Sequence, residues 1–261
     1  MNNDEIWPIP STFPLLAENE VHVWRMKLEK LTDKISFFRR FLTDSEQEKA
    51  GRFYFEKDRQ LWTAAHGLLR ILLGQYLNAD PLSIRFVTND YGKPSLAQPA
   101  AEQNLHFNLS HSGGMALLAF TYGREVGVDV EQRRSDVEYE NLSAHYFSSY
   151  ECDVLRSLPL EVQEEAFFAC WSRKEAYIKA RGKGLSIVLD QFDVSLAPGE
   201  PARLLASREA PEAPDRWSLR EILPGPGYAG ALVTEGFDWQ VRCWQWNNAI
   251  LQEKSSISEN G

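Results

Sequence analysis

The strongest constraint on the fold is a short segment, residues 126–131, in which three valines alternate with Gly127, Asp129 and Glu131. Alternation with a period of two is typical of a β-strand that buries one face. Asp129 and Glu131 then project together from the opposite face. The pattern therefore predicts a strand that packs its valines into a core and presents two carboxylates on its other side.

A second segment, residues 171–184, combines helical periodicity with excess positive charge. Trp171, Glu175 and Lys179 recur every four residues, so they line one side of a helix. If that helix lies over the strand, three carboxylates and a lysine converge, an arrangement that favours a hard cation such as Mg²⁺ carrying a phosphorylated substrate. The alternatives are a solvated strand face and a solvated basic helix. Together the two segments indicate metal-assisted phosphate chemistry.

The composition is that of an ordinary soluble globular protein, with 261 residues, 43% hydrophobic and 25% charged. The net charge of −9 disfavours a nonspecific nucleic-acid binder. The longest apolar run, residues 115–120, is too short to cross a bilayer, so no membrane association is predicted. Three cysteines without a Cys-x-x-Cys pair favour a reducing, cytoplasmic setting over disulfides or structural zinc.

The predicted elements occur twice in the same order: a strand, two helices, then further strands. Helices are predicted at 45–55 (with Thr43 or Asp44 as N-cap), 58–77, 149–157 and 161–181. Strands are predicted at 21–28, 84–87, 192–196, 217–222, 229–234 and 240–246, with residues 106–110, 115–120 and 126–131 as an antiparallel meander. Residues 197–215 are predicted to form a loop.

A faint internal repeat accompanies this order, because Glu46 to Arg70 and Glu151 to Glu175 both span 24 positions. We therefore predict an α+β fold of two pseudo-symmetric halves, each with helices packed on a small antiparallel sheet. The halves would comprise residues 1–124 and 125–246, with the active site in the cleft between them. Residues 247–261 are predicted to be a disordered tail.

Several further motifs stand in a fixed order before the two segments: Gly51-Arg-Phe53, Tyr91-Gly-Lys-Pro94 and residues 107–112, Phe-Asn-Leu-Ser-His-Ser. Across about residues 42–235 the ordered set closely resembles the surfactin-type 4′-phosphopantetheinyl transferases. The resemblance implies a fold of two α+β halves. It also implies transfer of the phosphopantetheine arm of coenzyme A to a serine of an apo acyl or peptidyl carrier protein, with release of 3′,5′-ADP.

By the same resemblance, Asp129, Glu131 and Glu175 bind Mg²⁺. The residues implied in coenzyme A binding are Lys49, Arg52, Lys93, Asn108, Ser110, His111 and Lys174. Where some members carry a basic residue this chain has Glu46, so contact with the 3′-phosphate is expected to depend more on Lys49. Taken alone, His111 would more often be a structural histidine, but its place after Asn-Leu-Ser at a strand end favours contact with phosphate.

The chemistry requires a base for the serine hydroxyl and a group that neutralises the leaving phosphate. Glu175 is the predicted base, directly or through a water, and Lys179 the group at the leaving phosphate. Glu151 is a second acid that could bind metal-bound water or serve as the alternative base; it could also cap its helix, and the capping and catalytic roles are compatible. Two other function classes stay open on the residues alone: a noncatalytic coenzyme A or nucleotide-binding module, and a Mg²⁺-dependent nucleotide hydrolase. A monomer is expected, and the sequence does not specify which carrier is served.

Overall fold

Two separate sheets and two long helices organise the protein, as seen in a computed structural model that describes residues 7–28 and 34–247. The strands are β1 (Glu20–Lys27), β2 (Phe86–Thr88), β3 (Pro94–Leu96), β4 (Leu105–Ser112), β5 (Met115–Tyr122), β6 (Val126–Gln132), β7 (Phe192–Val194), β8 (Leu204–Ser207), β9 (Trp217–Ile222), β10 (Tyr228–Glu235) and β11 (Gln240–Gln245). The helices are α1 (Ile35–Arg39), α2 (Asp44–Gly51), α3 (Glu56–Leu77), α4 (Tyr139–Tyr146), α5 (Ser149–Ser157), α6 (Leu160–Arg181) and α7 (Ala213–Arg216). The fold is thus a mixed α+β structure, as predicted.

The larger sheet has four strands in the order β11-β1-β5-β4, and a second sheet has three in the order β6-β10-β9. Two short hairpins, β2-β3 and β7-β8, complete the pairing within the described residues. Helix α3 packs on the four-stranded sheet through a cluster that includes Leu68, Leu72 and Phe120. Helix α6 packs on the three-stranded sheet through Phe167, Tyr177 and Val233. Each sheet therefore has one long helix on one face.

The predicted meander is right for its first two strands and wrong for the third. Strands β4 and β5 pair antiparallel, but β6 pairs with β10 instead of β5. The valines of β6 explain the difference, because Val126, Val128 and Val130 share one buried cluster with Leu117 of β5 and Val23 of β1. The strand therefore packs against the face of the first sheet through its side chains and takes its backbone hydrogen bonds elsewhere.

The last strand corrects a second expectation, that each sheet is purely antiparallel. Strand β11 pairs parallel with β1, from Glu20 beside Gln240 to Arg25 beside Gln245. A strand assigned to the second half of the chain thus completes the sheet of the first. The division of the chain at residue 124 stays a prediction. Residues 240–245, which it assigns to the second half, belong to the sheet of the first.

Most helix predictions are confirmed, including Thr43 as the N-cap of α2 and the bounds of α5. Helix α2 ends at Gly51, earlier than predicted. Helices α1 and α4 were not predicted, and strand β8 and helix α7 lie in the segment predicted as a loop. No helix in residues 7–28 and 34–247 has both the length and the apolar character needed to cross a bilayer. The tail prediction for residues 248–261 lies outside the described residues.

Candidate functional site

Side chains, rather than a backbone ladder, join strand β4 to strand β6. Val128 donates its backbone N–H to Asn108 Oδ1 at 2.9 Å, and Ser110 Oγ donates to Asp129 Oδ1 at 2.9 Å. Asn108, Ser110 and Asp129 are all buried. Asn108 and Ser110, implied above in coenzyme binding, therefore also fix the strand that carries the acidic residues.

The same connection continues at Glu131. Ser112 Oγ accepts the N–H of Gln132 at 3.1 Å and donates to Glu131 Oε2 at 2.8 Å. Burial, followed by the nearby Asp129 charge, raises the pKa of Glu131 to about 7. Sequence reasoning did not single out Ser112, although its place two residues after Ser110 on the same strand face would have indicated it.

Helix α6 lies unusually close to β6, and Gly127 is the reason. A Cβ atom at Gly127 would overlap the backbone of Ala176 and Ala180, so only glycine permits this approach. The approach brings Lys179 Nζ to 2.6 Å from Asp129 Oδ1 and 2.8 Å from Ser110 Oγ. The predicted convergence of helix and strand is confirmed for this lysine and this carboxylate.

Glu175, one turn before Lys179, is half-buried on the same helix. Burial, and then the charge of Asp129, raises its pKa. Trp171, a further turn back, packs against Tyr146 and Phe167 at ring-centroid distances of 5.7 and 6.0 Å. The helix face formed by Trp171, Glu175 and Lys179 is thus apolar at its N-terminal end and ionisable at its C-terminal end.

Magnesium was the predicted occupant of the three carboxylates. Within residues 7–28 and 34–247, no group of three or more His, Cys, Asp or Glu side chains is gathered closely enough to hold a metal ion. The donor chemistry nevertheless fits a hard cation. Asp129 Oδ2 is buried without a hydrogen-bond partner, and burial together with repulsion from the Asp129 charge raises the pKa of both Glu131 and Glu175. A divalent cation at Asp129 Oδ2 would satisfy the orphaned oxygen and relieve that repulsion.

A cavity of about 520 Å³ opens beside Lys179. Four of the residues implied in coenzyme binding line it, namely Lys49, Asn108, Ser110 and His111. The Lys49 ammonium lies 5.6 Å from the ring centroid of Trp62, and Trp62 stacks on His66 with centroids 3.8 Å apart. The cavity thus combines aromatic surface with cationic groups, as a nucleotide requires.

Both histidines of this cavity have a lowered pKa, which favours the neutral imidazole. Burial lowers the pKa of His66 to about 3, and burial and the Lys179 charge lower the pKa of His111. His66 Nδ1 lies 3.0 Å from the carbonyl of Trp62. Sequence reasoning missed Trp62 and His66, although their spacing of four places them on one face of α3, directed towards a shared surface.

Two of the implied coenzyme ligands lie apart from this cavity. Arg52 is exposed at the C-terminal end of α2 and is not among the residues that line the cavity. Lys93 belongs to the turn whose Gly92 and Pro94 do line it, but its ammonium points away, to Glu125 Oε2 at 2.6 Å and Ala180 O at 2.9 Å. The structure therefore does not bring Arg52 and the Lys93 ammonium together with Lys49 and His111.

Glu151 and Lys174 form a buried ion pair of 2.7 Å, with side chains 0% and 1% exposed. Glu151 also accepts the N–H groups of Ser148 and Val194, which is the capping alternative. Burial raises the pKa of Glu151, while Lys174 acts in the opposite direction. Neither side chain is solvent-accessible, so the structure does not bring Glu151 or Lys174 to the cavity beside Lys179.

The sequence of this chain is similar to those of known proteins. Residues 27–122 match the family model described as 4′-phosphopantetheinyl transferase, N-terminal, and residues 125–233 match the 4′-phosphopantetheinyl transferase superfamily. The chain is 38% identical over 239 residues to 4′-phosphopantetheinyl transferase HetI of Nostoc sp., covering 92% of this chain and 97% of that relative.

Two further relatives come from a bacterium and from human. The chain is 32% identical over 196 residues to 4′-phosphopantetheinyl transferase Sfp of Bacillus subtilis, covering 75% of this chain and 83% of that relative. It is 32% identical over 167 residues to the human L-aminoadipate-semialdehyde dehydrogenase-phosphopantetheinyl transferase, covering 61% of this chain and 54% of that relative. With both parts of the chain matched in order, the protein belongs to the 4′-phosphopantetheinyl transferase family.

Proposed function

We propose that this protein transfers the 4′-phosphopantetheine arm of coenzyme A to a serine of an apo acyl or peptidyl carrier protein. The serine oxygen forms a bond to the β-phosphorus, the pyrophosphate bond breaks, and 3′,5′-ADP leaves with the electron pair. The observation that carries the proposal is the Lys179 ammonium at 2.6 Å from Asp129, where helix α6, strand β6 and the cavity meet.

The cavity is the proposed site for the nucleotide part of coenzyme A. Lys49 and Lys179 are the cations that line it, and both would offset phosphate charge. The stacked rings of Trp62 and His66 provide an apolar face. A neutral His111 can donate one hydrogen bond without adding a charge.

Proton transfer is assigned to the polar end of α6. A carboxylate with a raised pKa is a better base at neutral pH than an ordinary one, and burial raises the pKa of Glu175. Glu175 would take the proton of the carrier serine, directly or through a water. Lys179 would neutralise or protonate the leaving phosphate. With Glu151 enclosed in its ion pair, Glu175 is the remaining candidate base of the two.

Magnesium is proposed as the metal, with Asp129, Glu131 and Glu175 as the residues that would hold it. When bound, it would neutralise charge on the pyrophosphate. Asp129 Oδ2 is the ligand atom that needs no rearrangement, because it has no other partner. Glu131 would turn an oxygen away from Ser112 or bind through its other oxygen.

The finer description of the fold belongs to the same proposal. Two pseudo-symmetric halves would meet at the cavity, with α2 and α3 in one and α5 and α6 in the other. Because both halves contribute to one site within a single chain, a monomer is sufficient for activity. We further propose a cytoplasmic location, consistent with three cysteines that are all free.

The test is an assay of the purified protein with coenzyme A, Mg²⁺ and an apo carrier protein, following both 3′,5′-ADP and the mass of the carrier. Carrier-dependent release with the matching mass increase supports the transferase. Release without a carrier would indicate a hydrolase, and coenzyme binding without turnover would indicate a binding module.

Replacement of Lys179 sharpens this assay. Lys179→Ala should lower kcat by about 10²–10⁴-fold, and Lys179→Arg should restore only part of it, because guanidinium is a poor proton donor at neutral pH. The matched control is Lys34→Ala, at an exposed lysine beside α1, which should leave kcat unchanged. Full activity of Lys179→Ala would remove the lysine from the reaction.

A further inference from the structure

The turn at residues 89–94 has two sides with different contacts. On one side, Gly92 and Pro94 line the nucleotide cavity proposed above. On the other side, Asn89 and Lys93 contact the C-terminal end of α6, and together with it they line a second cavity of about 680 Å³. The turn therefore connects the proposed coenzyme site with the end of the helix that carries Glu175 and Lys179.

Asn89 and Lys93 supply hydrogen bonds that the end of α6 cannot make for itself. The last carbonyls of a helix lack intrahelical partners. Here Asn89 Nδ2 donates to Gly182 O at 2.6 Å, and Lys93 Nζ donates to Ala180 O at 2.9 Å. Gly182 closes the helix with φ of +63°, a left-handed conformation suited to glycine. The helix terminus is thus completed by side chains more than 80 positions earlier in the chain.

The same ammonium also holds the start of strand β6. Lys93 Nζ donates to Glu125 Oε2 at 2.6 Å and contacts Val126 O at 3.3 Å. Hydrogen bonds from His106 and Lys93 lower the pKa of Glu125 to about 2, so its carboxylate stays charged throughout the neutral range. A lysine ammonium has three donors, and these three acceptors use all of them. A coenzyme phosphate could be contacted only by giving one of them up.

These attachment points flank the reacting pair. Ala180 follows Lys179 directly on α6, and Val126 lies three residues before Asp129 on β6. One ammonium, 15% exposed, is therefore fixed to the backbone next to Lys179 and to the strand that bears Asp129. Any loosening of Lys93 would let α6 move relative to β6 and lengthen the contact between Lys179 and Asp129.

We infer that Lys93 is a positioning residue for the transfer reaction, which sets the approach of helix α6 to strand β6 and so the place of Lys179. The inference rests on the proposed function, and it replaces the expectation that the Lys93 ammonium binds coenzyme A. Misplacement of a reacting group by about 1 Å can lower a rate by about 10²-fold even when the change is remote from the chemistry. The effect should therefore appear in turnover rather than in coenzyme affinity.

The experiment uses Lys93→Met, which keeps the aliphatic part of the side chain, with Asn89→Ala and Glu125→Gln as milder variants and Lys34→Met as the matched control. We expect Lys93→Met to lower kcat by about 10–100-fold and to change the KM for coenzyme A by less than about threefold. Asn89→Ala and Glu125→Gln should show the same pattern at smaller size, and the control should be unchanged.

Hydrogen exchange of the full-length protein supplies the readout that does not depend on turnover. In Lys93→Met, amides of residues 176–182 should exchange about tenfold faster, while amides in the centre of α3 keep their protection. If Lys93→Met fails to fold, the two milder variants carry the same test.

Two results would overturn the inference: a raised KM for coenzyme A with kcat unaltered, or unaltered exchange in residues 176–182. The first of these would return Lys93 to direct coenzyme binding. If the unmodified protein itself transfers nothing to any carrier, the proposed function fails, whereas the exchange measurement still decides whether Lys93 fixes the end of α6.

Discussion

Two helix pairs in this protein carry the same arrangement of charges in different surroundings. Thr43 and Ser148 each begin a short helix with a capping box, whose glutamate is Glu46 in the first case and Glu151 in the second. Each glutamate forms a 2.7 Å ion pair with a base on the following helix, and both long helices have 22 residues.

The basic partners continue the likeness. Arg70 donates to the carbonyls of Pro81 and Ile84, and Lys174 donates to those of Leu189 and Phe192. Both bases thus tie a helix to the chain that follows it. The surroundings differ: Glu46 is 17% exposed and lines the cavity proposed for coenzyme A, whereas Glu151 is 0% exposed. The same local design serves a ligand-facing surface in one place and the core in the other.

The largest expected effect is at the enclosed pair. Lys174→Met would leave Glu151 buried without its countercharge, and such losses typically cost about 3–5 kcal/mol. We expect the free energy of unfolding, measured by urea denaturation, to fall by about this amount, with the dissociation constant for coenzyme A unchanged in the folded fraction. The double variant Glu151→Gln/Lys174→Met should recover part of the loss. A change below about 1 kcal/mol would show that the pair is not a structural requirement.

The matched change in the other pair should have a smaller effect on stability and a visible effect on binding. In Arg70→Met, Glu46 keeps its hydrogen bonds from Thr43 and can be reached by water, so we expect a loss of about 1–3 kcal/mol. The uncompensated carboxylate at the cavity should also weaken coenzyme A binding by roughly three- to tenfold, measured by calorimetry. Equal effects of Arg70→Met and Lys174→Met on the free energy of unfolding and on coenzyme A affinity would show that the two ion pairs do not differ in role.

The smallest expected effect concerns Glu131. Here the substitution should raise the stability relative to the parent protein, whereas the two substitutions above lower it. The pKa of Glu131 is about 7 in the folded protein against an ordinary value of 4.5, so the folded state retains a proton that the unfolded chain releases between these values. That contribution is fully present below about pH 4.5 and is lost as the pH rises through about 7. In chelator-treated protein, the melting temperature should therefore fall relative to that of Glu131→Gln across this window, by roughly 2–6 °C.

The quantity to measure is the difference in melting temperature between the parent protein and Glu131→Gln, because the titrations of His22 and His66 change the stability of both in the opposite direction. Burial lowers the pKa of His22 to about 4 and that of His66 to about 3, so both add stability that is lost on acidification. Parallel melting curves at every pH would show that Glu131 is not held in the environment described.

Local features of this structure were predictable from the sequence, whereas contacts between distant segments were not. The capping boxes, the two long helices and the alternation of β6 follow from residue spacing. The partner of β6 does not, because its valines fit the edge of one sheet or the face of another equally well. The internal repeat could also be found in the sequence. In the structure, however, the second-half counterpart of Arg70 is Lys174 and not Glu175, because the link before α6 is shorter than the link before α3.

The basic residues show a second limit. Lys93, Lys174 and Lys179 carry the same side chain. The family resemblance implied that Lys93 and Lys174 lie near phosphate, and helical spacing placed Lys179 beside Glu175. In the structure, Lys179 faces the cavity, Lys93 holds backbone carbonyls and Lys174 is enclosed with a carboxylate. A long flexible side chain can reach in several directions, so its contacts are decided by the fold around it.

The parallel pairing of β11 with β1 has a consequence for how the chain is made. Strand β1 spans Glu20–Lys27, whereas its outer neighbour spans Gln240–Gln245 and is synthesised much later. Until those residues emerge from the ribosome, one side of β1 is an unpaired edge whose N–H and C=O groups can pair with another chain. Trp24 likewise lacks part of its packing until Trp244 and Trp246 are synthesised; their ring centroids lie 6.3 and 6.1 Å from that of Trp24. The first sheet thus begins to form well before it can be completed, an interval in which the incomplete chain is prone to aggregate and chaperones can protect it.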